Sequence, residues 1–128
     1  MEKSTSLNIL LVEDNLLNQK LIFLNLSKYG YVIDIANNGQ EALDKVKSRR
    51  FNLIIMDLMM PVMDGLEASV KIREYEEKLD YSTPIIGLTA NTFDADREKC
   101  LSHGMNEYMA KPFDLQLFNK LIAELGVI

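Results

Sequence analysis

The sequence is short of the residues on which several kinds of protein depend. A single cysteine, Cys100, rules out an internal disulfide and makes a cysteine-based zinc site implausible, which agrees with a reducing compartment. On a helix it reads as a small buried residue. One histidine, His103, stands beside a helix-stopping glycine and reads as a surface residue rather than a metal ligand or phosphate carrier. No apolar run approaches the roughly 18 residues a membrane span requires. Met1 to Ser6 is too short and polar for a secretory signal, so a cytoplasmic location without membrane contact is expected. Basic residues are also scarce: 14 Lys and Arg stand against 19 Asp and Glu, for a net charge of -5, and no segment gathers enough of them to track a phosphate backbone. Direct nucleic-acid binding is therefore not expected. Repeats and low-complexity segments are absent as well, and 128 residues at 48% hydrophobic fit one domain with one core.

What is present is a series of short apolar runs that end in polar residues. Leu53-Ile54-Ile55-Met56 has no alternation, which suits a strand buried on both faces, and it ends in Asp57. Ile9-Leu10-Leu11-Val12 ends in Glu13-Asp14, Ile85-Ile86-Gly87-Leu88 in Thr89-Ala90-Asn91, and the shorter Glu107-Tyr108-Met109-Ala110 in Lys111-Pro112. Val32 to Ala36 alternates around Asp34 and reads as a strand with one face less buried, at the sheet edge.

Between these runs the pattern turns helical. Leu17, Leu21 and Leu24 recur at i, i+4 and i+7, which predicts a core-facing stripe on a helix capped by Asp14 or Asn15 and stopped by Gly30. The turn Asn37-Asn38-Gly39 leads into a helix over 40–49 that buries Ala42, Leu43 and Val46, with Glu41, Asp44, Lys45 and Lys47 as a solvated face. Pro61 and Asp64-Gly65 break the chain before a helix over 66–77 capped by Asp64. A short helix capped by Thr92 or Asp94 runs to Leu101, and Leu115, Phe118, Ile122 and Leu125 give the last helix a strong apolar stripe. Five strands alternating with five helices define an α/β fold with a parallel sheet covered on both faces.

In such sheets the carboxyl ends of the strands are where ligands bind. Taken singly, Asp14 is a helix cap, Thr89 a turn residue and Lys111 a surface charge. Taken together, four strands of five ending in polar groups of complementary type point to a site. Three carboxylates crowd together only if something compensates their repulsion. Carboxylate and carbonyl oxygens with water suit Mg²⁺, with Lys111 as a second positive charge and the Thr89 hydroxyl as a donor to a phosphoryl oxygen. A metal and an ammonium flanking one carboxylate is what phosphoryl transfer calls for, with Asp57 as the oxygen nucleophile.

The pair Glu13-Asp14, the run Asp57-Leu58-Met59-Met60-Pro61 with Gly65 eight residues past the aspartate, Thr89-Ala90, and Tyr108 with Lys111-Pro112 resemble the receiver domain of two-component response regulators. The resemblance spans nearly the whole chain: a receiver over 7–126, with 1–6 a polar leader and 127–128 a tail. It implies a flavodoxin-like, doubly wound five-stranded sheet in the order 2-1-3-4-5. It further implies that Asp57 accepts a phosphoryl group from a phosphohistidine on a histidine kinase or histidine phosphotransfer protein. Glu13, Asp14, Asp57 and the Met59 backbone carbonyl would surround Mg²⁺, for which Mn²⁺ can substitute. Thr89, the Ala90 backbone and Lys111 would hold the phosphoryl group. Thr89 and Tyr108 would act as the switch that remodels the surface of the fourth helix, fifth strand and fifth helix, with a phosphorylation-dependent homodimer as one possible consequence. Pro112 is a cis-peptide candidate on the same pattern. Met59 and Asn91, each two residues past a site residue, are expected to flank the water that hydrolyses the phosphoryl group.

Glu13-Asp14-Asn15 with Asn18, Lys99-Cys100-Leu101 and Gly104-Met105 are most similar to receivers of hybrid sensor histidine kinases; a stand-alone regulator is the alternative. Among other classes, a Mg²⁺-dependent phosphatase of the haloacid dehalogenase type needs a second aspartate where Met59 stands. A flavodoxin-like cofactor binder needs a phosphate cradle where Glu13-Asp14-Asn15 would repel phosphate.

Overall fold

The computed structural model describes residues 6–60, 62–90 and 94–128, and for 94–96 the backbone alone. Ten elements alternate: β1 (Asn8–Val12), α1 (Leu16–Ser27), β2 (Val32–Ala36), α2 (Gly39–Ser48), β3 (Leu53–Asp57), α3 (Gly65–Glu76), β4 (Ile85–Thr89), α4 (Asp94–Ser102), β5 (Glu107–Ala110) and α5 (Leu115–Glu124). All strand pairs are parallel and the order is β2-β1-β3-β4-β5. Pro61, Asn91 and Thr92 lie outside the described residues, and with them the expectations placed on Asn91 and on Thr92 as a cap.

Side chains along a strand alternate between faces, and each face here has its own core. Leu10, Val12, Ile54, Met56 and Ile85 pack against Ala42, Leu43, Val46, Ala68, Ile72 and the buried Cys100 of α2, α3 and α4. Ile9, Leu11, Leu53, Ile55, Ile86 and Leu88 pack against Ile22, Leu26, Phe118, Leu121 and Ile122 of α1 and α5. The central strands β3 and β4 are buried at every position, as their unbroken apolar runs require.

Capping follows the sequence closely. Asn15, Asn38, Asp64 and Asp114 each accept a backbone N–H from the first turn of α1, α2, α3 and α5. Gly30 and Gly104, both at positive φ, follow α1 and α4. Gly65 is needed for a different reason: a Cβ there would run into the carbonyl oxygen of Asp57, so the start of α3 lies directly on the end of β3.

Helix α1 departs from expectation. Leu17, Leu21 and Leu24 are 65%, 50% and 61% exposed, and the buried stripe is Gln19, Ile22 and Leu26. Both stripes have helical spacing, so periodicity could not choose between them. Gln19 settles the orientation by donating to the Glu13 carbonyl and to Asn37 Oδ1. Leu16, Leu17, Leu21 and Leu24 thereby form an apolar band on the outside.

The edge strand β2 pairs with β1 alone, and its Asp34 is bracketed by Lys45 at 3.0 Å and Arg49 at 2.8 Å. Lys45, read as part of a solvated face, thus has a partner. At the opposite end of the sheet from Asp57, Arg73 ties three segments together. It donates to the Gly104 carbonyl, to Asn106 Oδ1 and to Glu76 Oε1, the last at 2.6 Å. The buried Glu76 also accepts from the backbone N–H and hydroxyl of Thr83. Arg73→Met leaves that carboxylate without its cation, and we expect a loss of about 2–3 kcal/mol in urea unfolding. An unchanged midpoint and slope would show the clamp to be energetically idle.

Candidate functional site

Strand register explains why distant acids meet. Ile9 pairs with Leu53 and Leu11 with Ile55, so Glu13 and Asp57, two residues further on, emerge side by side on the α1/α5 face of the sheet. Asp57 lies opposite Leu88, and Thr89 opposite Ala110, which brings Thr89 and Lys111 to the same rim. The Lys111 N–H donates to the Thr89 carbonyl at 2.8 Å, and the Lys111–Pro112 peptide is cis.

At this rim Glu13 is 1% exposed, Asp57 2% and Thr89 5%. Oxygens of Glu13, Asp14 and Asp57 lie within 4.8 Å of one another. Lys111 Nζ sits 3.0 Å from Asp57 Oδ1 and 3.7 Å from Glu13 Oε1. The Met59 N–H donates to Asp57 Oδ1 at 3.2 Å and the Asn15 N–H to Glu13 Oε2 at 3.1 Å. Glu13 Oε1 is buried and accepts no hydrogen bond.

One ammonium does not neutralise this cluster. Burial, reinforced by repulsion from Asp57, pushes the Glu13 carboxyl up to about 7 from its ordinary 4.5. A buried carboxylate oxygen with no donor, beside two further carboxylates, is a set of hard oxygen ligands short of a cation. Mg²⁺ or Mn²⁺ fits it: the donors are carboxylate oxygens only, and that of Asp14 is exposed.

Of the other candidates, Met59 touches the cluster through its backbone N–H, while Tyr108 and His103 lie apart from it. Met59 is 77% exposed on the loop after Asp57. Tyr108 is half-buried on the opposite face of β5, packed against the α2–α4 core. His103 accepts the surface role expected of it, with Nδ1 2.7 Å from the Lys99 carbonyl at the end of α4.

Gln19 was not foreseen. It is a buried amide one turn into α1, and its Nε2 donates to the Glu13 carbonyl at 2.5 Å and to Asn37 Oδ1 at 2.8 Å. The available signal was its spacing to Ile22 and Leu26, three and seven residues on, which makes it a member of a helical stripe.

A doubly wound sheet with an acid cluster and a lysine at the carboxyl ends of its strands defines a phosphoryl-handling class. Residues 9–123 match the family model of the response regulator receiver domain, and the chain belongs to that family. It is 40% identical over 119 residues to Hybrid signal transduction histidine kinase K of Dictyostelium discoideum, covering 89% of this chain and 10% of that protein. Against Hybrid signal transduction histidine kinase B of the same organism it is 45% identical over 113 residues, covering 81% of this chain and 6% of that protein. The chain thus spans a tenth or less of these two relatives.

Among solved structures, one similar fold is the receiver domain of Saccharomyces cerevisiae Ssk1, crystallised with the histidine phosphotransfer protein Ypd1. Its TM-score is 0.88 at 36% identity, covering 98% of this chain and 92% of that one. Another is a sensor histidine kinase receiver from Pseudomonas aeruginosa with a magnesium ion in its active site cleft, at TM-score 0.82 and 39% identity, covering 94% of this chain and 97% of that one. Among the described residues no helix is long and apolar enough to cross a membrane.

Proposed function

We propose that Asp57 is the phosphoacceptor of a cytoplasmic phosphorelay and that its donor is a phosphohistidine on a histidine kinase or histidine phosphotransfer protein. The observation that carries this reading is the acid cluster with Lys111 Nζ 3.0 Å from Asp57 Oδ1. An Asp57 oxygen attacks phosphorus in line; the P–O bond forms as the P–N bond breaks, and the histidine nitrogen departs with the bonding pair. Lys111 neutralises charge on the equatorial oxygens, and the Thr89 hydroxyl and Ala90 N–H complete the cradle. Glu13, Asp14, Asp57 and the Met59 carbonyl would hold Mg²⁺, which supplies the remaining positive charge when bound. The chain's only chemistry is on itself.

Phosphorylation then biases a two-state element: contacts to Thr89 and Lys111 favour the arrangement in which Tyr108 turns inward and the α4–β5–α5 surface changes. The resemblance to hybrid kinases supports a parent of that kind, with a free-standing regulator as the alternative.

The apolar band of α1 supports the choice of donor. Leu21 of this band lines a groove of about 220 Å³ that also takes in Glu13, Asn25, Lys111 and Phe113. A protein presenting a phosphohistidine can cover the leucines while its imidazole reaches Asp57. Leu21→Asp is expected to slow transfer from such a protein at least about tenfold and to leave phosphorylation by a small phosphodonor unchanged. Equal slowing with both donors would place Leu21 in the fold rather than the interface.

The test of the function is incubation with acetyl phosphate and Mg²⁺ followed by intact mass measurement. One phosphoryl group is expected, and none under chelation; an adduct indifferent to chelation would overturn the assignment. Its lifetime bears on Met59, whose apolar, exposed side chain offers the hydrolytic water no hydrogen bond. Met59→Asn supplies one, which is worth roughly a five- to tenfold faster loss of the phosphoryl group. Equal lifetimes would remove residue 59 from the hydrolytic path.

A further inference from the structure

The buried amide of Gln19 reaches from the metal-site rim into the fold. Of the three candidate carboxylate ligands, Asp14 is the exposed one, so its direction is set by the backbone on either side. The Glu13 N–H donates to the Ala36 carbonyl at 3.1 Å, and the Asn15 N–H to Glu13 Oε2 at 3.1 Å. Between them lies the Glu13–Asp14 peptide plane, whose carbonyl oxygen takes the Gln19 Nε2 donor at 2.5 Å.

The orientation of this donor is dictated chemically. Glu41 Oε1 accepts from both the backbone N–H and the side-chain Nδ2 of Asn37, at 2.8 and 3.2 Å. A carboxylate that accepts from Nδ2 turns the other end of the amide, Oδ1, inward. Gln19 Nε2 meets that oxygen at 2.8 Å and the Glu13 carbonyl with its second hydrogen. Both protons of one buried NH₂ are thus spent on linking the loop after β1 to the loop after β2.

We infer that Gln19 is a positioning residue for the divalent-cation site, holding the Glu13–Asp14 peptide so that both carboxylates face Asp57. This rests on the reading that Glu13, Asp14 and Asp57 bind a cation. It also accounts for the orientation of α1, which buries an amide and leaves four leucines outside. Groups that orient metal ligands typically cost about 10–100-fold in affinity when lost.

The test is Mn²⁺ binding followed by the loss of the free-ion electron paramagnetic resonance signal, for wild type, Gln19→Met, Asn37→Ala and the double variant. Methionine keeps the volume and removes the donors. Gln19→Met is expected to weaken Mn²⁺ about tenfold, and the exposed Asn37→Ala to weaken it less. The double variant should be no weaker than Gln19→Met alone, because both changes break one link. In phosphorylation by acetyl phosphate, the Mg²⁺ needed for half-maximal rate should rise while the rate at saturating Mg²⁺ stays within about twofold of wild type.

Thermal melts in chelator report folding separately. A folded Gln19→Met that binds Mn²⁺ as wild type does overturns the inference. If Gln19→Met does not fold, wild-type affinity in Asn37→Ala overturns it instead. A wild type that binds no Mn²⁺ refutes the cation site itself, and the role of Gln19 with it.

Discussion

Asp57→Asn takes up no phosphoryl group from acetyl phosphate or from a phosphohistidine protein, while the protein remains folded. The substitution keeps the shape of the side chain and removes the charge that makes an oxygen attack phosphorus. Among the described residues no other carboxylate is placed to replace it. Asp14 is exposed at the rim, and the Glu13 carboxylate lies farther from the Lys111 ammonium, at 3.7 Å. Among the described residues, only Asp57 combines near-complete burial with an ammonium at 3.0 Å. The expected effect is a drop of more than about a thousandfold in the rate of adduct formation, read by intact mass. An adduct of unchanged yield in Asp57→Asn would move the phosphoacceptor elsewhere.

The second large effect is on stability and reverses the usual carboxylate trend. In the folded protein without metal, Glu13 holds its proton up to about pH 7, whereas the unfolded chain releases it near 4.5. Between those values the folded state binds more protons, so stability falls as pH rises through this window. The shift corresponds to about 3 kcal/mol, fully present below pH 4.5 and lost above pH 7. For a domain of this size that is on the order of 10 °C in Tm.

Glu13→Gln removes the titration, so in chelator the variant should lose less Tm than wild type between pH 5 and pH 8. Mg²⁺ favours the ionised carboxylate and should stabilise the wild type more at pH 8 than at pH 5. Parallel pH profiles for wild type and variant would show that Glu13 does not carry the strain.

Much of this site could be read from the chain because the relevant signals are local. Apolar runs ending in Glu13-Asp14, Asp57, Thr89 and Lys111 mark the carboxyl ends of parallel strands, and parallel strands all open onto one rim. What escaped depends on facing rather than spacing. Leu17, Leu21 and Leu24 form a true helical stripe, but periodicity reports only that a stripe will be covered, not whether by this chain or by another. Gln19 belongs inside because two oxygens outside its own helix meet it, the Glu13 carbonyl and Asn37 Oδ1. The partner of Lys45 was hidden for the same reason: Asp34 comes within reach only when β2 lies beside α2. The crowding of Glu13 with Asp57 was expected from the strand ends, but burial, the larger cause of its raised affinity for a proton, is a property of the assembled pocket.

The bracketing of Asp34 by Lys45 and Arg49 has a bearing on life in a concentrated cell. An outermost strand offers a row of backbone groups on which a second extended polypeptide can add, the first step towards fibrillar stacking. Here any such intruder must settle beside a carboxylate and two cations, charged groups that an added strand would strip of water. Copies held close together are thus discouraged from zipping edge to edge.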